Sequence, residues 1–448
     1  MVSFFFDYFI DSELRFWPLK LRSTLIMNAG FSEIDITPPP GTKKAGWMED
    51  LEARKFLDPL FARVAIFQDE KGGKSAFIQL DMLSVRWSDT DDLRKRINAE
   101  CGFPEANIMV SATHNHAGPA IVRLAPVEKD KTYVEDLKRK CVSAFTQALS
   151  GMEEIEAGFS SVKEFDVAFN RRTVMRDGTV KCQASLFSNP DALYSEGPAD
   201  PEVAVVIVKN KSGKMIGALV NFACHPIHHG GTDEISAGFP GVLAAKMKEW
   251  GCPVTLFLNG AYGNVITNDF QHGISLSKEE AGERLFTDVK KAFEKMSFLS
   301  DFSVAANSST IKLPFRNITD AEYHGRVRGA QRFRSDELYE KDIDLIKAKI
   351  AKCGSQLAEV QVIRLGDWNF AGIPAEYFVE HQLRIKTETF PKRSFVVGGA
   401  NGMIGYVPTK DAFTRGGYET TLGPPSRMAP ETGDMLADAA VEIIKNMG

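Results

Sequence analysis

The residues best suited to chemistry in this 448-residue chain are its histidines, of which there are only eight. Two stand in Ser111-Ala112-Thr113-His114-Asn115-His116-Ala117-Gly118-Pro119, directly after an apolar, β-branched run that reads as a strand. At i, i+2 spacing on extended chain, His114 and His116 project from one face, and Gly118-Pro119 then turns the chain away. A second group, Asn221-Phe222-Ala223-Cys224-His225-Pro226-Ile227-His228-His229-Gly230-Gly231, also puts a histidine where a strand meets a loop. The strand fixes His225, and alternation turns Cys224 to the opposite face. His228 and His229 lie in the Gly-rich loop and read as substrate-facing. Imidazole is a common metal ligand, so His114 and His225 make a candidate pair for zinc.

Two ligands are too few, since a catalytic zinc takes three from the protein and keeps one position open for water. Asp and Glu total 59, so spacing does not select the third. Glu376 follows an apolar run ending at Ile373 and Pro374; residue chemistry alone makes it a first-turn acid of a helix over 376–388, favoured there by the helix dipole. Asn259-Gly260-Ala261-Tyr262-Gly263-Asn264 is a tight loop after a strand, able to approach a ligand closely through Asn264 but matching no phosphate-loop pattern. Asn170-Arg171-Arg172 could hold a carboxylate or phosphate. No G-x-S-x-G elbow and no H-E-x-x-H pair is present.

The elements that must carry these residues alternate along the chain. Strands are expected at 64–68, 75–80, 108–111, 203–208 and 215–222, the last two joined through Lys211-Ser212-Gly213-Lys214. A second pair, 360–365 and 368–373, turns at Gly366-Asp367. Helical periodicity marks 89–101, 132–150, 240–250, 278–296, 336–352, 376–388 and 434–446, with Ser277 and Glu280 as a capping box. Long loops remain at 114–130, 187–202, 226–239, 262–276 and 401–433, a length usually kept for function. The expectation is an α/β (α+β) fold: one large catalytic domain over 27–448, mixed sheets flanked by helices, and active-site loops at strand ends. Residues 1–26 read as an N-terminal extension, because well-patterned sequence begins after Met27.

At 44% hydrophobic and 25% charged the chain has a globular composition, and its net charge of -5 gives no footing for nucleic acid or an anionic membrane. No apolar run is long enough to span a bilayer, so no stable membrane insertion is expected. Six scattered cysteines without a CxxC pair read as reduced thiols and suit a cytoplasmic location. The partner indicated is a small-molecule substrate; a homo-oligomer is left open.

Taken in order, several segments resemble the neutral (non-lysosomal) ceramidase family of metal-dependent amidases. They are Ala29-Gly30-Phe31-Ser32-Glu33-Ile34-Asp35-Ile36-Thr37-Pro38, the T-H-N-H-A-G-P segment, Asn170-Arg171, N-F-A-C-H, N-G-A-Y-G-N, Ile373-Pro374-Ala375-Glu376, Gly405-Tyr406-Val407-Pro408-Thr409 and Gly417-Tyr418-Glu419. The resemblance runs over roughly residues 28 to 447. It implies one zinc per chain held at His114, His225, Glu376 and Tyr406, with His116, Arg171 and Tyr418 at the reaction centre. It implies that His116 moves a proton, Tyr418 donates to an oxyanion and Arg171 orients the substrate. Two positions depart from the family. Ile266 stands where a serine is expected, and Gly238 replaces an acid in the I-S-A-D segment. With those changes, no C-terminal immunoglobulin-like part and no convincing secretion signal, the expectation is hydrolysis of an amide, ester or lactone in a soluble small substrate. Ceramide or N-acyl-lipid hydrolysis is the alternative, and a non-catalytic metal-binding scaffold the third reading.

Overall fold

A computed structural model describes residues 27–47, 49–123 and 126–447; the expected N-terminal extension lies outside them. The main sheet runs in the order Thr255–Asn259, Met215–Phe222, Glu202–Asn210, Glu153–Lys163, Asn28–Asp35, Phe61–Gln68, Lys74–Leu80, Ile108–Ala112, with Phe298–Leu299 added beside Glu153–Lys163. A second sheet holds Val304–Pro314, Ser355–Leu365, Trp368–Ile373 and Arg393–Gly398. This is the mixed α/β architecture the patterning implied. Pairing is antiparallel except where Ile108–Ala112 and Thr255–Asn259 join the main sheet's two ends and where Arg393–Gly398 joins the second sheet.

The continuous apolar run at 62–67 follows from burial on both faces. Val64 and Ile66 point towards the helices Trp87–Cys101 and Lys131–Ser150, whereas Ala65 and Phe67 point at the second sheet. There Phe67 and Phe77 meet Phe370 and Phe395 in the layer between the sheets. Gly238–Glu249 and Lys278–Phe293 cover the other part of the main sheet, and Val379–Thr389 and Thr432–Asn446 cover the second. The result is a helix–sheet–sheet–helix stack. The 202–222 hairpin, the Gly366 turn and the Ser277–Glu280 capping box all form. None of the six cysteines is paired, and Cys224 packs in the core against the Gly238–Glu249 side.

One element differs in a way that bears on function. Glu376 does not open a helix: Glu376–Tyr377 is a short strand, parallel to Tyr406–Val407, and the helix starts only at Val379. Helical periodicity in the local sequence does not report a two-residue pairing whose partner is 30 positions away. That ladder sets Glu376 directly opposite Tyr406.

Candidate metal centre

The site forms where strands of both sheets end. Ile108–Ala112 and Met215–Phe222 lie far apart in the strand order, yet the sheet ends meet through Asn259, the last residue of Thr255–Asn259. The Asn259 side-chain amide donates to the carbonyls of Thr113 and Cys224 at 3.0 Å each, and its oxygen accepts from the Cys224 N–H at 3.2 Å. One fully buried side chain therefore brackets the residues just before His114 and His225. The sequence marked Asn259 only as the start of a tight loop, because neither partner is near it in the chain.

His114, His116 and His225 converge, the sole trio of its kind among the described residues. Their Nε2 atoms stand 3.1 Å (His114 to His225), 3.2 Å (His116 to His114) and 2.9 Å (His116 to His225) apart. Each Nδ1 faces a backbone carbonyl: Leu83 at 2.8 Å, Gly46 at 2.5 Å and Tyr262 at 3.3 Å, respectively. A carbonyl accepts only, so each Nδ1 carries the proton and each Nε2 presents a lone pair. Three lone pairs facing one another inside a protein repel unless a cation lies among them. Ligands about 2.0–2.1 Å from a tetrahedral zinc are spaced by roughly 3.3 Å, close to the His114–His225 separation, and His116 Nε2 stands near enough to act as a further ligand or as a base beside the ion. The donor set fits a metal. His114 also adopts φ 66°, a left-handed conformation uncommon outside glycine and held where function over-determines it.

Electrostatics agree. Burial, then the proximity of His114 and Arg171, holds His225 well below the ordinary histidine range. Burial, with His114 and Arg171 adding to it, does the same for His116, against an opposing hydrogen bond to Gly46. Neutral imidazoles are the form that ligates.

Glu376 reaches this group, its Oε2 3.4 Å from His114 Nε2. Tyr406 sits beside it in the ladder, with the Arg171 guanidinium 5.4 Å from the ring centroid. Tyr418 packs edge-on to Tyr406 at 5.6 Å. Burial pushes the phenols of Tyr406 and Tyr418 well above their usual range. Arg171 is itself buried, donating to Glu419 at 2.9 Å and to the Gly263 carbonyl at 2.8 Å. Burial works against the Glu419 carboxylate, but Arg171 and Arg172 hold it below its ordinary value.

The three substrate-facing expectations end elsewhere. Asn264 accepts from Val379 N–H at 2.9 Å and donates to Glu380 at 2.8 Å, capping the helix Val379–Thr389, and its carbonyl receives the Arg171 N–H. His228 turns to the Leu276 carbonyl at 3.0 Å, and His229 to Glu234 at 2.7 Å. The buried Lys44 ammonium pins that loop by donating to the carbonyls of His229, Thr232 and Glu234. Trp47, partly exposed, stands edge-on to His116 at 6.4 Å, with Gly231 against its indole. Nothing in the local pattern singled out Lys44 or Trp47. Ile266 is wholly buried, and its backbone bridges His225, so the expected serine position does lie at the centre. Gly238 takes φ 62° at the start of its helix, a conformation glycine adopts freely.

The chain is thus a mixed α/β fold whose strand-end histidine trio could hold a metal ion, and known proteins resemble it in both sequence and fold. Residues 28–249, just under half of the chain, match the model for the N-terminal domain of the neutral/alkaline non-lysosomal ceramidases. Neutral ceramidase 2 of Arabidopsis thaliana is 23% identical over 222 residues, 48% of this chain but only 28% of the plant protein. The chain thus matches about a quarter of that relative's length. Among solved structures, the neutral ceramidase of Pseudomonas aeruginosa superposes with a TM-score of 0.71 at 17% identity, covering 94% of this chain and 75% of that one. A ceramidase complexed with C2 gives 0.70 at 18% identity over 94% and 76%. These matches show the fold. No helix of the described residues is long and apolar enough to cross a membrane.

Proposed function

We propose that the chain is a zinc-dependent amidohydrolase that cleaves an N-acylated lipid, the class to which the names of its relatives point. The family match favours this substrate over the soluble small amide, ester or lactone that the departures from the family pattern suggested. The observation that carries the reading is the convergence of three Nε2 lone pairs, two of them on buried histidines, with their tautomers fixed from behind. His114 and His225, with Glu376 and Tyr406 facing them, would hold the ion. Bound there, zinc polarises a carbonyl and brings a water's pKa towards neutrality. His116 is the trio member that keeps partial exposure, beside the open face of Trp47. With Nδ1 tied to Gly46, its Nε2 carries a lone pair beside the two ligand imidazoles, where it would take a proton from water and return it to the leaving amine. Tyr418, kept protonated by burial, donates to the developing oxyanion. Arg171, locked by Glu419, orients the substrate's polar end.

Ile266 favours a second reading, a shorter or more soluble amide, because no hydroxyl stands at that position. A panel of N-acyl substrates, from N-acetyl amines to long-chain N-acyl sphingoid bases, tests both. The zinc-loaded chain should release fatty acid from at least one member, and His116→Ala should lower kcat by about 10²–10⁴-fold. Absence of turnover across the panel, with zinc bound, would refute the hydrolase reading.

A further inference from the structure

Tyr262 is completely buried, yet its hydroxyl has no hydrogen-bond partner. Buried polar groups are bonded in the great majority of cases, so an orphan at the edge of a site asks for an explanation. The rest of the residue is fully engaged. Its ring stacks on His114 at 4.4 Å and 27°, and stands edge-on to His225 at 5.4 Å and 90°. Its carbonyl accepts from His225 Nδ1. The hydroxyl end lies against Gly399, where an added Cβ would come within 2.8 Å of it. Gly399 N–H in turn bonds the carbonyl of Ala375, the residue before Glu376, at 3.1 Å. Gly263 N–H bonds the Tyr377 carbonyl at 2.8 Å, so the chain at 262–263 runs alongside 375–377.

We infer that Tyr262 is a positioning residue of the metal centre: its ring and carbonyl set two imidazoles, and its free hydroxyl donates to the Glu376 carboxylate when that group engages the cation. This rests on the metal-centre reading above. Orienting partners of this kind typically change metal affinity by about 10–100-fold. A residue that only fills the core has no reason to distinguish the loaded from the unloaded protein. Tyr262 has one, because its hydroxyl stands unpaired in the metal-free protein.

The test compares the full chain with Tyr262→Phe, Glu376→Gln and the double variant, measuring zinc dissociation constants by chelator competition and thermal unfolding of the metal-free forms. Tyr262→Phe keeps the ring and removes the orphan. It should melt no lower than wild type without metal, yet bind zinc at least 10-fold more weakly. In the Glu376→Gln background the same change should cost less than threefold, since the partner is gone. Co2+ substitution should give an altered d–d spectrum in Tyr262→Phe. Unchanged zinc affinity in Tyr262→Phe, or an undiminished effect when Glu376 is replaced, overturns the inference. Failure of the wild-type chain to bind zinc overturns instead the metal reading on which it rests.

Discussion

Replacing Asn259 by leucine, a side chain of similar size, would remove the bracket that joins the two histidine-bearing segments. Three hydrogen bonds disappear, and the Thr113 carbonyl and both polar backbone groups of Cys224 are left inside a region from which water is excluded. At about 1 kcal/mol net for each bond, with a further cost for each group left unpaired, the loss should be about 3 kcal/mol or somewhat more. A comparable change elsewhere supplies the contrast. Asn221 is also buried and donates to the Leu258 and Val396 carbonyls at 2.7 and 2.8 Å, tying strands together four residues before His225 without bonding Thr113 or Cys224. Asn221→Leu should lower stability by a similar amount. Only Asn259→Leu should also loosen the spacing of His114 and His225, weakening zinc binding by about 10–100-fold. Urea unfolding at matched zinc, combined with chelator competition, separates the two effects. The reasoning is refuted if Asn259→Leu binds zinc within threefold of wild type, or if Asn221→Leu weakens it equally.

Two further outcomes test the surrounding electrostatics. Glu419→Gln leaves Arg171 and Arg172 without their shared carboxylate and should cost about 3–5 kcal/mol. Since the folded carboxyl lies below its ordinary value of 4.5, its stabilisation is present above that pH and fades as pH falls through the depressed value. The difference between variant and wild type should therefore shrink in acid unfolding curves. Lys44 is shifted in the opposite sense, burial pushing its ammonium down from 10.5 to about 8. Between those values the unfolded chain still holds a proton that the folded chain has released, so this group makes stability rise with pH there. Unfolding midpoints at pH 8 and pH 10 should show that rise in wild type and a flatter response in Lys44→Met.

The parts of the fold legible in the sequence are those with local causes. Apolar runs marked the strands around 61–68, 74–80 and 215–222 because both faces of those strands are buried. Glu153–Lys163 and Val304–Pro314 escaped notice: their faces are only partly covered, and polar residues interrupt the apolar signal. At the site, His114, His116 and His225 were visible as strand-end histidines, a rare residue placed at a recognisable junction. Glu376 was visible but set on the wrong element, since its strand is made by a distant partner. Asn259, Tyr262, Lys44 and Trp47 act through contacts with segments far away in the chain, and no period or spacing encodes those. Asn264, His228 and His229 had the right neighbourhood, but the Asn264 amide goes to a helix end, His228 Nε2 to a carbonyl and His229 Nδ1 to a carboxylate.

The central claim is that His114 and His225 hold a metal ion while His116 works beside it. Zinc content by mass spectrometry, on purified wild type and on His114→Ala, His225→Ala and His116→Ala, addresses it without any assumption about substrate. The expected result is one zinc per chain in wild type, loss in the first two variants and retention in His116→Ala. Zinc that persists after both His114 and His225 are removed would contradict the account.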